Sequence, residues 1–210
     1  MRILHLETGK HLYGGAKQVY YLLKGLASYT DVQNELACPP DSAILEECRD
    51  VADKCHTVSV KGDLDITFLF RFVLLLRSRA PDIVHVHSRR GADIWGALAA
   101  RACGIKTVVS RRVDNPESSA IMRYKYSMYD AIIAISHAIK EVLIWEGIEE
   151  EKIYTVPSAV ECEDYQQECN DSWFRQEFDL EENAKTVAMI AQFIPRKGHD
   201  TLIRAMPLIL

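Results

Sequence analysis

No Cys-x-x-Cys pair occurs among the six cysteines of this 210-residue chain. Cys38, Cys48, Cys55, Cys103, Cys162 and Cys169 are scattered, and even Cys48 with Cys55-His56 fits no common zinc spacing. The common zinc modules are thereby excluded, and reduced, partly buried thiols are the expectation. Long apolar runs are also missing. The longest, Phe68–Leu76, contains Arg71 and is too short to span a bilayer, so it reads as a buried helix. There is no excess of basic charge: the formal net charge is −5, which argues against general nucleic-acid binding. Gly-x-Gly-x-x-Gly, a Walker-type lysine loop, an Asp-x-Asp motif and a catalytic triad are all absent, as are internal repeats and low-complexity segments. Met1-Arg2 runs directly into a strand pattern with no secretory leader, so a cytoplasmic protein is expected.

What is present is an ordinary hydrophobic content of 48%, arranged with a clear rhythm. Arg2–Leu6 reads as a strand, Thr8–Gly15 as a glycine-bearing loop, and Ala16–Leu26 as a helix with Val19, Leu22, Leu23 and Leu26 on one face. Further strands are expected at Leu36–Cys38, His56–Val60, Ile83–His87, Thr107–Ser110, Ala131–Ile135 and Ile153–Val156. Asp41 or Ser42 is expected to cap a helix to about Cys48. The remaining helices should run from about Ile66 to Arg79, Asp93 to Cys103, Glu117 to Tyr129, and Ser136 to Trp145. This alternation over residues 2–156 specifies an α/β fold, a doubly wound parallel sheet. Residues 1–160 would form that Rossmann-like domain and 161–183 a polar linker with an amphipathic piece at Trp173–Phe178. Residues 184–210 would start a second α/β domain, with a buried strand at Val187–Ala191 and a helix from about Asp200. The apolar end at Leu210 suggests a chain cut one strand and one helix into that domain.

In such sheets, ligands bind beyond the carboxyl ends of the strands. The stretch Asp82–Arg90 brings His87, Ser88, Arg89 and Arg90 to that edge. His87 ends its strand, whereas His85 lies deeper on the same face and reads as the core residue of the two. Gly14-Gly15, between a strand and a helix, suits either a tight turn or an anion held at a helix N-terminus. From Arg89 to Arg112 there are six basic residues against one acid, Asp93. Arg89, Arg90, Arg111 and Arg112 fall at the ends of neighbouring strands and could form a rim for an anionic ligand, or a solvated face paired with Asp114 and Glu117. Ser136 is an N-cap or a ligand contact. Lys197-Gly198 is a phosphate-binding turn or an exposed one.

Several separated stretches fit one family: Gly14-Gly15-Ala16; Pro81–His87; Ile132–Ser136 with Ile139 and Lys140; Lys152–Pro157; and Ala188–Ala205 with Pro195, Lys197-Gly198, Leu202 and Ala205. In order and spacing the chain resembles glycosyltransferase family 4 (group 1), with the two-domain GT-B fold, over nearly its whole length. The resemblance implies a retaining, hexosyltransferase-type enzyme that moves a sugar from a nucleotide diphosphate sugar to an acceptor. It implies that Gly14 and Gly15 approach the donor phosphate, that His87 touches the donor sugar, and that Lys197 holds the leaving pyrophosphate. Gln192 stands where the clamp's arginine is usual, with Arg196 as a substitute, and Ser158-Ala159 replaces the usual Asn-Gly. The family's paired-glutamate motif of the second domain is absent from this sequence, which ends first, so this stretch alone should lack a complete donor site and activity. No cofactor and no metal are expected, the nucleotide sugar being a co-substrate. The other expected partner is a glycan or glycolipid acceptor, anionic to match the arginines, as in lipopolysaccharide or other cell-surface glycan synthesis. That would allow peripheral contact at the inner face of the cell membrane. The competing readings are a non-catalytic anion-binding module and a GT-B sugar-nucleotide epimerase.

Overall fold

A computed structural model describes residues 1–87, 91–113, 119–166, 170–181 and 183–209. These fall into two units, Met1–Cys162 and Glu163–Leu210. The first unit holds seven strands: β1 (Arg2–Leu6), β2 (Gln33–Cys38), β3 (Lys54–Thr57), β4 (Ile83–Val86), β5 (Lys106–Arg111), β6 (Ala131–Ala134) and β7 (Ile153–Thr155). All pair in parallel, in the order β3-β2-β1-β4-β5-β6-β7. The order reverses direction between β1 and β4, which makes that pair the switch point of the doubly wound sheet.

Side-chain alternation splits each strand between two faces. Leu4, Leu6, Val84, Val86, Val109 and Ile132 point to one face. There they pack under α3 (Ile66–Arg79), α4 (Ala92–Ala102), α5 (Ser119–Ser127) and α6 (His137–Trp145). Leu36 and Cys38 point to the other, under α1 (Gly14–Leu26) and α2 (Ala43–Glu47). Asp65 starts α3 by accepting from the Phe68 N–H at 3.2 Å. Ser136 starts α6 by accepting from the Ile139 N–H at 3.2 Å. Gly91, at φ 81°, precedes α4, and a Cβ there would lie 2.2 Å from the Asp63 carbonyl oxygen, so only glycine fits.

Several local expectations need correction. Ser42 stands at the start of α2 but gives no side-chain cap, because its hydroxyl donates to Pro39 O at 2.6 Å. The third strand spans Lys54–Thr57 rather than reaching Val60, since only these residues pair with β2. Helix α3 is rich in apolar residues yet buried on one side only. Phe68, Phe72 and Leu76 enter the core, while Phe70 and Leu74 stay exposed. In the second unit, described by itself, α7 (Ser172–Glu177) and α8 (His199–Ile209) form, but Val187–Ala191 adopts no strand. A parallel strand needs a neighbour for its backbone groups, and among the described residues none pairs with it. Ile190 is fully exposed.

One buried charge cluster anchors β2. Glu35 accepts from Arg79 Nε at 2.9 Å and from the other arm of that guanidinium, and lies 2.7 Å from His56 Nε2 and 3.4 Å from Arg2 Nε. Burial alone would raise the Glu35 carboxyl, but the Arg79 and His56 bonds outweigh it and the net direction is down. A carboxyl lowered on folding contributes stability above its unfolded value, about 4.3, and loses it as pH falls through the lower folded value. Glu35→Gln should therefore cost about 1.5–3 kcal/mol at neutral pH, and the difference from the parent should vanish in acid. Denaturant melts at both pH values check this.

Candidate functional site

The site lies at the carboxyl ends of β1, β4 and β5. The β1–β4 register sets His5 opposite His85, with Leu6 opposite Val86, so His5, His85 and His87 all project from the face that carries α1. The three imidazoles are buried, with exposures of 1%, 6% and 5%. His5 Nδ1 lies 3.0 Å from His87 Nε2, and the rings of His85 and His87 are centred 3.9 Å apart. Asn34 Oδ1, 3.2 Å from His5 Nε2, accepts from that nitrogen. His5 Nδ1 is then an acceptor for the His87 Nε2–H, and the lone pair of His87 Nδ1 faces Arg112 Nη2 at 3.5 Å. His85 Nε2 lies 2.9 Å from Ser110 Oγ.

Burial drives all three histidines towards the neutral form. It lowers His5 to about 4, against a smaller opposing effect of the Asn34 bond. His85 is held well below the ordinary value by burial first, then by His5 and Arg112, and His87 by burial first, then by His85, His5 and Arg112. Burial also lowers the Arg112 guanidinium, while the nearby Glu7 carboxylate supports its charge.

This arrangement corrects the expectation that His85, rather than His87, is the core residue of the two. Both are equally covered, because His5 closes on them from β1 and Arg112 from beyond β5.

Gly14 and Gly15 also sit differently from the sequence reading. They form the first turn of α1 with φ outside the positive region, so their freedom to turn is not used. Their value is the missing side chain: a Cβ on Gly14 would meet nothing within 4 Å, and one on Gly15 would meet only Arg112 Cδ at 3.8 Å. Tyr13, at the N-cap position, gives no side-chain cap. The helix tip is thus open, carries the positive end of the dipole and has a guanidinium beside it.

The four-arginine rim does not hold as expected. Arg111 is 2% exposed, donating from Nε to Val113 O at 2.7 Å and from Nη1 to the Tyr126 hydroxyl at 3.0 Å. Successive strand residues face opposite ways, so Arg111 and Arg112 cannot share a rim. Arg89, Arg90, Asp114 and Glu117 lie outside the described residues. Ser136 serves α6 as its cap. Lys197 is exposed in a short 3-10 turn, Pro195–Lys197, that also includes Arg196 and closes at Gly198 with φ 77°. Sequence reasoning brought Gly15, His87 and Arg112 together; it missed His5 and Asn34, which no motif marks. A cavity of about 350 Å³ adjoins the cluster under α1, with Tyr21, Leu22, Leu26, His85, Ser110 and Arg112 among its lining.

The model of Glycosyltransferase Family 4 matches residues 13–164, which include the open tip of α1, the histidine strand β4 and Arg112. This chain belongs to glycosyltransferase family 4. Among solved structures, HepE of Anabaena in complex with UDP and glucose is 18% identical, with a TM-score of 0.77 over 99% of this chain and 58% of that one. A glycosyltransferase of Rickettsia africae is 17% identical, with a TM-score of 0.79 over 99% and 57%. The UDP-GlcNAc 2-epimerase of Neisseria meningitidis is more distant, 14% identical with a TM-score of 0.56 over 74% and 45%. At these identities the likeness establishes the GT-B fold. The chain spans less than three-fifths of the length of the two glycosyltransferase structures. No curated protein matches it. Among the described residues, no helix of this family 4 chain is long and apolar enough to cross a membrane.

Proposed function

We propose that the protein moves a sugar, with retention of configuration, from a nucleotide diphosphate sugar to a saccharide or lipid-linked acceptor in cell-surface glycan synthesis. The observation that carries the donor assignment is the open N-terminus of α1 at Gly14-Gly15 with the half-buried Arg112 beside it. Departure of a nucleotide diphosphate develops negative charge, and a helix end and a guanidinium fixed beforehand stabilise it without reorganising. In this reading Lys197 and Arg196 bind the pyrophosphate of the donor. His87, its tautomer set by His5, would contact the sugar as positive charge develops on it. Protein cations serve the leaving group in this scheme, so no metal is required.

The complete enzyme should release nucleoside diphosphate only when acceptor is present, and the product should keep the donor's anomeric configuration. UDP-glucose is the first donor to test, because HepE is known in complex with it. An inverted product would overturn the retaining mechanism. Isomerised nucleotide sugar without acceptor would favour the epimerase reading, and binding without turnover the anion-binding one. Gly14→Ala/Gly15→Ala offers a sharper check. Alanine suits a helix better than glycine and meets open space here, so the melting temperature should hold or rise by a few degrees. Two methyls at the phosphate approach should still lower kcat/KM about 10²-fold through misplacement of the donor. Unchanged kinetics would remove the helix tip from the site.

A further inference from the structure

We propose that His5, His85 and His87 form a three-histidine site for one divalent transition-metal ion of the zinc class. Two of them come as His-x-His, His85 on β4 and His87 just past its end, and the third from the paired strand β1, in register with His85. Alternation puts both β4 imidazoles on one face, and the parallel register adds the third to it. One nitrogen of each ring lies within 4.8 Å of the others, and the His5 Nδ1 to His87 Nε2 separation is 3.0 Å. A tetrahedral ion with bonds of about 2.0–2.1 Å holds neighbouring nitrogens roughly 3.3 Å apart, so the cluster needs only small ring rotations.

The surroundings suit ligation. Metal-bound histidines usually donate their outer N–H to an oxygen, which orients the ring and turns the inner lone pair to the ion. Asn34 Oδ1 does this for His5, and Ser110 Oγ is placed to fix the ring of His85. All three rings are buried, away from competing water. Without an ion, one N–H bridges His87 Nε2 and His5 Nδ1. With an ion, that proton moves to His87 Nδ1, and the fourth position is free for water.

The opposing group is Arg112. Its Nη2, 3.5 Å from His87 Nδ1, would then face an N–H and a cation. Arg112 Nε makes no hydrogen bond among the described residues, and the Glu7 carboxylate lies near enough to support the guanidinium charge, so the head can turn away at some cost. An ion bound here would tie β1 to β4 and withdraw His87 from any sugar. Zinc would therefore act as an inhibitor of the transfer proposed above, rather than as its cofactor.

The test uses the metal-free 210-residue chain with zinc(II) alone and cobalt(II) alone. One cobalt per chain should bind, with the visible bands of a four-coordinate ion and no sulfur-to-cobalt charge transfer, and zinc should displace it. Zinc should raise the melting temperature. His5→Gln should weaken binding at least about 10²-fold, whereas Arg112→Gln should tighten it about 10-fold by removing the opposing charge. If His5→Gln fails to fold, the Arg112→Gln result still decides. Absence of stoichiometric binding, thiolate charge-transfer bands, or affinity unmoved by either substitution would overturn the proposal. None of these readouts depends on glycosyl transfer.

Discussion

Lys125→Met should be among the most damaging single changes to the first unit, lowering its stability by about 3–5 kcal/mol. Lys125 on α5 and Asp93 in the first turn of α4 are both buried, and their charged atoms lie 3.1 Å apart. The Tyr129 hydroxyl donates to the Asp93 backbone carbonyl at 2.5 Å and seals the same junction. Burial first, then the Asp93 charge, raises the Tyr129 phenol well above its usual range. Methionine fills the lysine's volume, so little cavity forms; the cost is the carboxylate left buried without its cation. For a chain of this size the loss corresponds to a fall of roughly 6–20 °C in melting temperature. The double variant Asp93→Leu/Lys125→Met removes both charges and should recover most of it, since a well-packed apolar pair replaces a buried ion pair at little cost. A double variant no better than the single would show that the cost is packing and not charge.

The sheet was legible because the period of the pattern decides it. Helix-length apolar stripes alternate with short β-branched runs, and that alternation admits a parallel sheet with a switch point between the first and fourth strands. The site was legible only as far as strand ends reveal it. His87 and Arg112 directly follow β4 and β5, and Gly14-Gly15 opens the helix after β1. His5 is 82 residues from His87 and becomes its partner through register. A trace of this exists in the sequence, where Ile3-Leu4-His5-Leu6 and Ile83-Val84-His85-Val86 carry the histidine at the same offset. The Arg111 error was avoidable. Adjacent strand residues face opposite ways, and an arginine turned to the helix-covered face must find its acceptors there, as Arg111 does with Val113 O and Tyr126. The strand at Val187–Ala191 failed for another reason: its apolar run describes what a neighbouring strand would bury, and strand propensity cannot supply that neighbour.

His87→Ala in the complete enzyme should lower kcat by roughly 10²–10³-fold, the range for losing one fixed polar contact to the transition state. The sequence reads His85 as the core residue of the two, which would make His87 the cheaper ring to remove. The structure makes the two rings equally costly to remove and so improves the experiment. His85 and His87 are covered to within 1% of each other, and their rings are in mutual contact at 3.9 Å. Each alanine variant deletes the same buried ring, so both should melt lower by similar amounts, and the stability loss cancels between them. What does not cancel is position along the strand. His87 Nδ1 faces Arg112 at the end of β4, beside the open tip of α1, whereas His85 is held one pleat deeper by Ser110. Only the His87 variant should lose turnover per folded molecule. The deficit should appear in kcat rather than in the KM for donor, because the contact strengthens as charge develops on the sugar. Equal losses of kcat in the two variants would make the pair a packing unit and leave Arg112 and the helix tip to carry the chemistry without it.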